Sequence, residues 1–488
     1  MTKKTKAVLW LHMHQPDYVI PGTNLMYLPW VRRHALRGYY MIPKLLINSG
    51  AKLNINFSGI LLRELQLYEM GEMKDIYQYY EEKDTASLTE AERSFIIERF
   101  LIPLQFSSER FNALFEKKSK SEKFSNQEIR DIQVLFALSA FAPLDEDIVE
   151  LLKKERDYTE NEKTYIKEVE KRIINSIFPL YRSLMDKGLV EITVSPFYHP
   201  ILPLLLDLNS ARESKQGATI PAVEFSYPED ASRQIQMSID ICKEIFGIKP
   251  KGMWPSEGSI SNEAVDIIKS SGFEWIGTDE LLLEKSSSTA HLASGVYNLR
   301  GIKTLFRDHI SSDKLGFVYN KTNPEEAISD LLSQFKNSFC YRIIIIDGEN
   351  PWDYYRNNGV EFLKSLFQVL SEQETALGSE VEACENIDSV KPGSWVNGYL
   401  DTWIGDRESN TAWVYLSEAR QRLASNELSL KAILSAEGSD FFWWYSEFHR
   451  QEVDYSFDFL FRSKLIDAYR RDNIPIPSYL FYPIKRYK

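Results

Sequence analysis

The chain has 488 residues, 43% of them hydrophobic, and a formal net charge of −12 spread over mixed Glu/Lys runs. That length is too great for one small core and suits a large α/β unit with a smaller companion. No Lys/Arg-rich stripe marks a nucleic-acid surface, and no run approaches the roughly 20 apolar residues needed to span a bilayer.

In chain order, Met1-Thr2-Lys3-Lys4-Thr5-Lys6 is basic, but the apolar run behind it, Ala7 to Leu11, is too short for a signal core. Cytoplasmic residence is the expectation. Cys242, Cys340 and Cys384 lie far apart without CxxC spacing and read as free thiols. Seven short apolar segments predict strands at 7–13, 53–59, 189–195, 251–255, 273–278, 303–307 and 342–347. Helix patterns separate most of them. Ile235, Ile239, Cys242, Ile245 and Phe246 recur at helical spacing before Gly247, Ser261 caps a second helix, and Pro324 opens a third. Strands alternating with helices imply a parallel sheet, and near-continuous apolar strands imply burial on both faces.

Residues 60–188 exceed what a βα unit needs and carry helical segments at 126–141 and 161–187, so they predict an inserted helical subdomain. Beyond about residue 355 helices dominate, at 359–372, 409–434 and 455–470. The expected organisation is a catalytic barrel over 1–355, including the insertion, and a C-terminal helical domain over 356–488 that completes the cleft.

Polar residues gather at the strand ends, where parallel α/β folds build active sites. His12 and His14 are two apart and share one strand face, as either a metal pair or a hydrogen-bonding pair. Asp347, at the tip of RIIIID, precedes Gly348 and Glu349; burial there raises a carboxyl's pKa and equips it to donate a proton, although Asp-Gly is also ordinary turn chemistry. Glu257 follows Trp254 and Pro255 and precedes Gly258, so it is held rather than free, although it also fits a surface turn. One fixed carboxylate and one protonatable acid are what glycosidic cleavage requires. Glu191 is a charge inside the apolar strand LVEITVS, and the two prolines of SPFYHP present Tyr198 and His199. The chain holds 10 Trp. Trp352, Trp395, Trp403 and Trp413, with Asn397 and Asn410, offer stacking faces and amides suited to a sugar, and equally suit a core.

HMHQP, GLVEITVSPFYHPILPL, GMWPSEGSIS, IIIIDGENPWDYY and SWVNGYLDTWIGDRESNTAW resemble, in order, the five sequence regions of glycoside hydrolase family 57, and AEGSDFFWWY resembles its α-amylase and amylopullulanase type. The resemblance implies an α/β fold, an incomplete (β/α)7 barrel with a helical insertion and a C-terminal helical bundle. It implies retaining hydrolysis of α-glucans or maltooligosaccharides without cofactor or metal. Glu257 matches the nucleophile and Asp347 the general acid/base. His12, His14, Glu191, Glu349 and Trp413 match the sugar subsite, to which His199, Trp254, Trp352, Trp403 and Asn410 are added. Asp406-Arg407 and Ser446-Glu447 depart from the family's usual Glu-Pro and Gly-Asp. The alternatives are 4-α-glucanotransferase action, a metal-dependent deacetylase or hydrolase using His12 and His14 as ligands, and an inactive glucan-binding protein. The oligomeric state has no sequence signature.

Overall fold

Seven strands form at the seven apolar segments: β1 (Lys6–Met13), β2 (Leu53–Ser58), β3 (Val190–Ser195), β4 (Gly252–Met253), β5 (Trp275–Asp279), β6 (Ile302–Arg307) and β7 (Tyr341–Asp347). The computed structural model describes residues 5–103, 108–286, 295–335, 341–383, 385–423, 426–449 and 453–485. Met1 to Lys4, Cys340 and Cys384 lie outside them; Cys242 is a buried free thiol.

The sheet runs β7-β1-β2-β3-β4-β5-β6 with parallel ladders throughout. Its ends, β6 and β7, share no ladder. Instead the Asp308 N–H donates to the Ile343 carbonyl at 2.7 Å and Arg307 Nε donates to the Ile345 carbonyl at 2.8 Å. The barrel is therefore incomplete, closed at that seam by single hydrogen bonds. Beyond β6 the sheet continues through an antiparallel strand, Val296–Leu299, and a short strand, Glu385–Ile387.

Strand alternation decides what fills the barrel. Val8, Trp10 and His12 of β1 face inward, while Leu9, Leu11 and Met13 pack in the main core under the surrounding helices. Inside, Trp10 meets Trp275 at 4.7 Å and Trp254 edge-on at 5.8 Å between ring centroids. Three indoles fit only because Gly277 lacks a side chain: a Cβ there would stand 2.4 Å from the Trp10 ring. The interior below the site is thus packed, as small barrels are.

The insertion is helical, with its longest helix at Glu160–Asp186. Arg32, fully buried, joins it to the barrel through Asp75, Glu81 and Glu170. At the C-terminal end, the 409–434 pattern is two helices, Arg407–Arg422 and Glu427–Ala436. The second has its own cap, because the Asn426 side chain accepts the Ser429 N–H. The stretch before them runs back over the barrel, where Thr375 bridges Ala7 and Gly393 bridges Ile260. Among the described residues, no helix is long and apolar enough to cross a membrane.

Candidate active site

Register sets the mouth of the barrel. His12 aligns with Asp347 on one side and Asn56 on the other, so the histidine, Asp347 and the β2 polar ladder stand at one height. His12 Nδ1 lies 2.6 Å from Asn56 Oδ1. Burial, then the proximity of His14, lowers its pKa to about 3, so it is neutral at physiological pH. His14 continues the same face just past the strand. Its Nδ1 meets Ser58 Oγ at 2.8 Å, its Nε2 meets Asp440 Oδ2 at 2.9 Å, and its backbone N–H donates to Glu349 Oε1 at 2.8 Å.

His199 reaches the same place from the β3 exit. Pro196 accepts its backbone N–H, which turns the residue to a left-handed φ of 59°. Its ring stacks on His14 at 3.9 Å and on His12 at 5.0 Å. Nδ1 lies 3.0 Å from Ser439 Oγ and 3.8 Å from Glu257 Oε1. Nε2 is buried with no hydrogen-bond partner among the described residues.

Glu257 also has a left-handed φ of 59°. Such backbone costs on the order of 1–3 kcal/mol in a non-glycine residue and persists only where the surroundings impose it. Here Trp395 imposes it twice: its backbone N–H donates to the Glu257 carbonyl at 3.1 Å and its indole N–H to Oε2 at 2.8 Å. Burial drives the Glu257 pKa up to about 7; the Trp395 hydrogen bond opposes that, Asp440 adds to it, His14 opposes it and Asp347 adds to it. Asp347 is open to the cleft, with Asn350 Nδ2 donating to it at 3.2 Å. Its carboxyl lies deep enough that displaced water raises its pKa, against the Asn350 hydrogen bond and the influence of His14 and Arg307. Gly348 behind it is obligatory, since a Cβ would stand 2.7 Å from Met13 Cγ.

The structure brings His12, His14, His199, Glu257 and Asp347 together, and it corrects the placement of the remaining sequence-predicted residues. Glu349 is a buried prop: it accepts the His14 N–H and the Tyr39 hydroxyl, the latter at 2.5 Å, and burial holds its pKa well above the usual carboxylate range. Tyr39 ends a π-helical turn, Ala35–Tyr39, of the kind often found beside functional sites. Trp254 is the packed floor under His12 and offers no open face. Glu191 does face the barrel interior but at its base, level with Asn54, where it accepts the Trp275 indole N–H and the Ser379 N–H. Four residues of strand separate it from Ser195, about 13 Å at the usual rise.

Trp352, Trp403 and Trp413 are no more than 1% exposed, so no ring face is free for a sugar. Trp352 donates to the Gly348 carbonyl and Trp413 to the Trp403 carbonyl. Asn410 uses both ends of its amide on the Gly405 backbone. The Asp406-Arg407 and Ser446-Glu447 departures prove to be one unit: the Asp406 carboxylate accepts the Ser446 hydroxyl at 3.1 Å and the Glu447 N–H at 2.7 Å.

Sequence reasoning missed Asn56, Ser58, Ser439 and Asp440 as site residues, and noted Trp395 only as a possible stacking ring. It also missed Gln234, fully buried on the helix Pro228–Phe246. Gln234 Oε1 accepts the Tyr198 N–H at 2.9 Å, and Nε2 donates to the Leu434 carbonyl and Glu437 Oε2, both at 2.9 Å. One amide thus joins the loop that presents His199 to the segment that presents Asp440. Gln234→Leu strands the Tyr198 N–H and the Leu434 carbonyl, and is expected to lower kcat by about 10²-fold through misplacement of both groups, with KM nearly unchanged. Steady-state kinetics beside a melting curve check this; an unaltered kcat in a folded variant refutes it.

With that geometry in view, the sequence profile described as glycosyl hydrolase family 57 matches residues 8–395. Alpha-amylase 1 of Dictyoglomus thermophilum is 24% identical over 251 residues, half of this chain. The chain spans 33% of that relative's length. Among solved structures, it is similar to a GH57 branching enzyme from Thermococcus kodakaraensis, with a TM-score of 0.61 at 15% identity over 96% of this chain and 90% of that one. It is also similar to the 4-alpha-glucanotransferase from Thermococcus litoralis, with a TM-score of 0.58 at 16% identity over 96% of this chain and 60% of that one. At these identities the structural likeness speaks for the fold.

Proposed function

The chain belongs to glycosyl hydrolase family 57, and on that premise we propose that it cleaves α-glucosidic bonds of starch- or glycogen-type glucans or maltooligosaccharides by double displacement. The observation that carries the reading is the unequal treatment of two carboxyls at one barrel mouth. Glu257 is pinned by Trp395 through both backbone and side chain, whereas Asp347 stands open to the cleft. A nucleophile needs a fixed line of attack; an acid/base must reach first the leaving oxygen and then water.

In the first step the Asp347 carboxylic proton passes to the glycosidic oxygen while Glu257 forms a bond to the anomeric carbon, and the leaving sugar departs as an alcohol. In the second, the Asp347 carboxylate takes a proton from water, whose oxygen displaces Glu257 and completes net retention. His12, His14, His199 and Asp440 present hydrogen-bonding groups to the hydroxyls of the bound glucose. His12 and His199 are kept neutral by burial, so they add no cationic charge beside the oxocarbenium-like transition state. The barrel and insertion over 1–355 supply both carboxyls, and the helical part over 356–488 completes the cleft with Trp395 and Asp440. The acidic chain and its scattered cysteines suit a cytoplasmic enzyme.

A panel of starch, pullulan and maltooligosaccharides with product analysis tests this. The expected result is new reducing ends from α-glucans, with the released sugar first appearing as the α-anomer. Longer glucans formed from maltotriose would instead establish transfer as the main reaction, and no turnover on any α-1,4 or α-1,6 substrate would refute the proposal.

A further inference from the structure

His12 and His14 share a strand face in sequence, but the grouping of donor atoms in space is a different one. His12 is occupied by Asn56, whereas His14, His199 and Asp440 each offer a donor atom, and those three atoms lie within 4.8 Å of one another. We propose that these three residues form a binding site for one divalent transition cation of the zinc class, and that the ion competes there with the glucan.

Three features beyond proximity support this. First, the donor set is two imidazoles and one carboxylate, the composition of open zinc sites in which a fourth position faces solvent or substrate. Second, His199 already has the outer support that metal-bound histidines show. Its Nδ1 lies on the Ser439 hydroxyl at 3.0 Å, which orients the ring and assigns Nε2 to the other side. Third, His199 Nε2 is buried and has no partner among the described residues, a state that normally costs free energy and is uncommon unless something binds.

His14 and Asp440 must rearrange. The rings of His14 and His199 now stack face to face, 3.9 Å apart and 21° from parallel, and an imidazole coordinates through a lone pair in its own plane, so His14 turns until its lone pair meets that of His199 on the ion. Its 2.9 Å contact with Asp440 opens as the Asp440 oxygen turns to the cation. The ring proton stays on the nitrogen that does not coordinate, and no redox step is involved. Magnesium and calcium, which favour all-oxygen sites, are poor occupants. The competition rests on the reading of His14, His199 and Asp440 as sugar contacts, since an ion holding them removes three hydroxyl partners. This departs from the expectation of no metal drawn from sequence resemblance.

The experiment uses the full chain, stripped by chelator and dialysed, then titrated with zinc chloride alone by calorimetry. One zinc per chain is expected, with binding weakened at least about tenfold in Asp440→Asn and in His199→Gln. X-ray absorption of the zinc-loaded wild type should show imidazole and oxygen neighbours without sulfur, which keeps the test independent of variant folding. Zinc should also raise the apparent KM for a maltooligosaccharide and leave kcat unchanged. The site is refuted if wild type retains no more zinc than the Asp440→Asn/His199→Gln double variant, or if the absorption spectrum lacks imidazole. Turnover by the chelated enzyme is read separately: its loss on every glucan would sink the hydrolase reading, whereas zinc binding without competition would sink only the overlap with the sugar.

Discussion

Glu257→Gln should lower turnover on any glucan the wild-type chain cleaves by about 10⁴-fold or more, roughly 5 kcal/mol of lost transition-state stabilisation at 1.36 kcal/mol per tenfold. The substitution is nearly isosteric, and the amide oxygen can still accept the Trp395 indole N–H that now meets Oε2. What disappears is the ability to form a covalent bond to the anomeric carbon. Asp347→Asn removes the proton source and should cost about 10²–10⁴-fold, the usual range for general acid–base catalysis. The two defects differ in kind. An aryl glucoside with a good leaving group needs no acid and restores the first step in Asp347→Asn only, so glycosyl-enzyme accumulates. Added azide should give an α-glucosyl azide from Asp347→Asn and a β-glucosyl azide from Glu257→Gln. Activity within about tenfold of wild type in either variant, or exchanged azide stereochemistry, would overturn the roles.

Seven strands were legible because both faces of each are covered: a segment such as RIIIID has no polar face, so the apolar run itself marks the element. Period-two alternation correctly placed His12 and His14 on one side of β1. The same rule shows its limit at Glu191. Alternation tells which face a residue takes but not its height along the strand, and this interior carboxylate lies at the base, bonded to Trp275 and Ser379. Helix continuity failed similarly between 407 and 436, where the apolar spacing carries through while Asn426 starts a new hydrogen-bonded run.

The site residues that stayed hidden depend on distant sequence partners. His14 and Asp440 are 426 positions apart, and Gln234 meets Glu437 across 203. Neither Asp440 nor Gln234 has local chemistry to distinguish it: one opens an aromatic helix and the other sits mid-helix, and only the packing of the C-terminal segment against the β3 exit gives each a role. The buried tryptophans erred the opposite way. Their rings looked available because neighbouring polar residues suggested a surface, yet those residues satisfy backbone within loops, as Asn410 does for Gly405.

Trp395→Phe should change the pH profile more informatively than any other substitution at the cleft. The ring of Trp395 lies near the Arg307 guanidinium, 5.5 Å from its centroid, and Phe retains an aromatic face there while deleting the indole N–H. That N–H can only donate, so it favours the ionised form of Glu257 over the neutral acid. The nucleophile works as the carboxylate. With the Glu257 pKa pushed up to about 7, kcat/KM of the wild type should fall as pH drops below about 7. Losing a donor to a charged group costs about 1.5–3 kcal/mol, or about one to two pH units at 1.36 kcal/mol per unit. The acid limb of Trp395→Phe should therefore move to higher pH by that amount, and at neutral pH, where the wild-type carboxyl is already about half protonated, its kcat/KM should be lower by about 5- to 50-fold. Part of the loss should return as pH is raised, and with two carboxyls at one site the observed limb belongs to the coupled pair. A uniform loss with an unshifted acid limb would mean that Trp395 serves the backbone of Glu257 alone, through the N–H that Phe keeps.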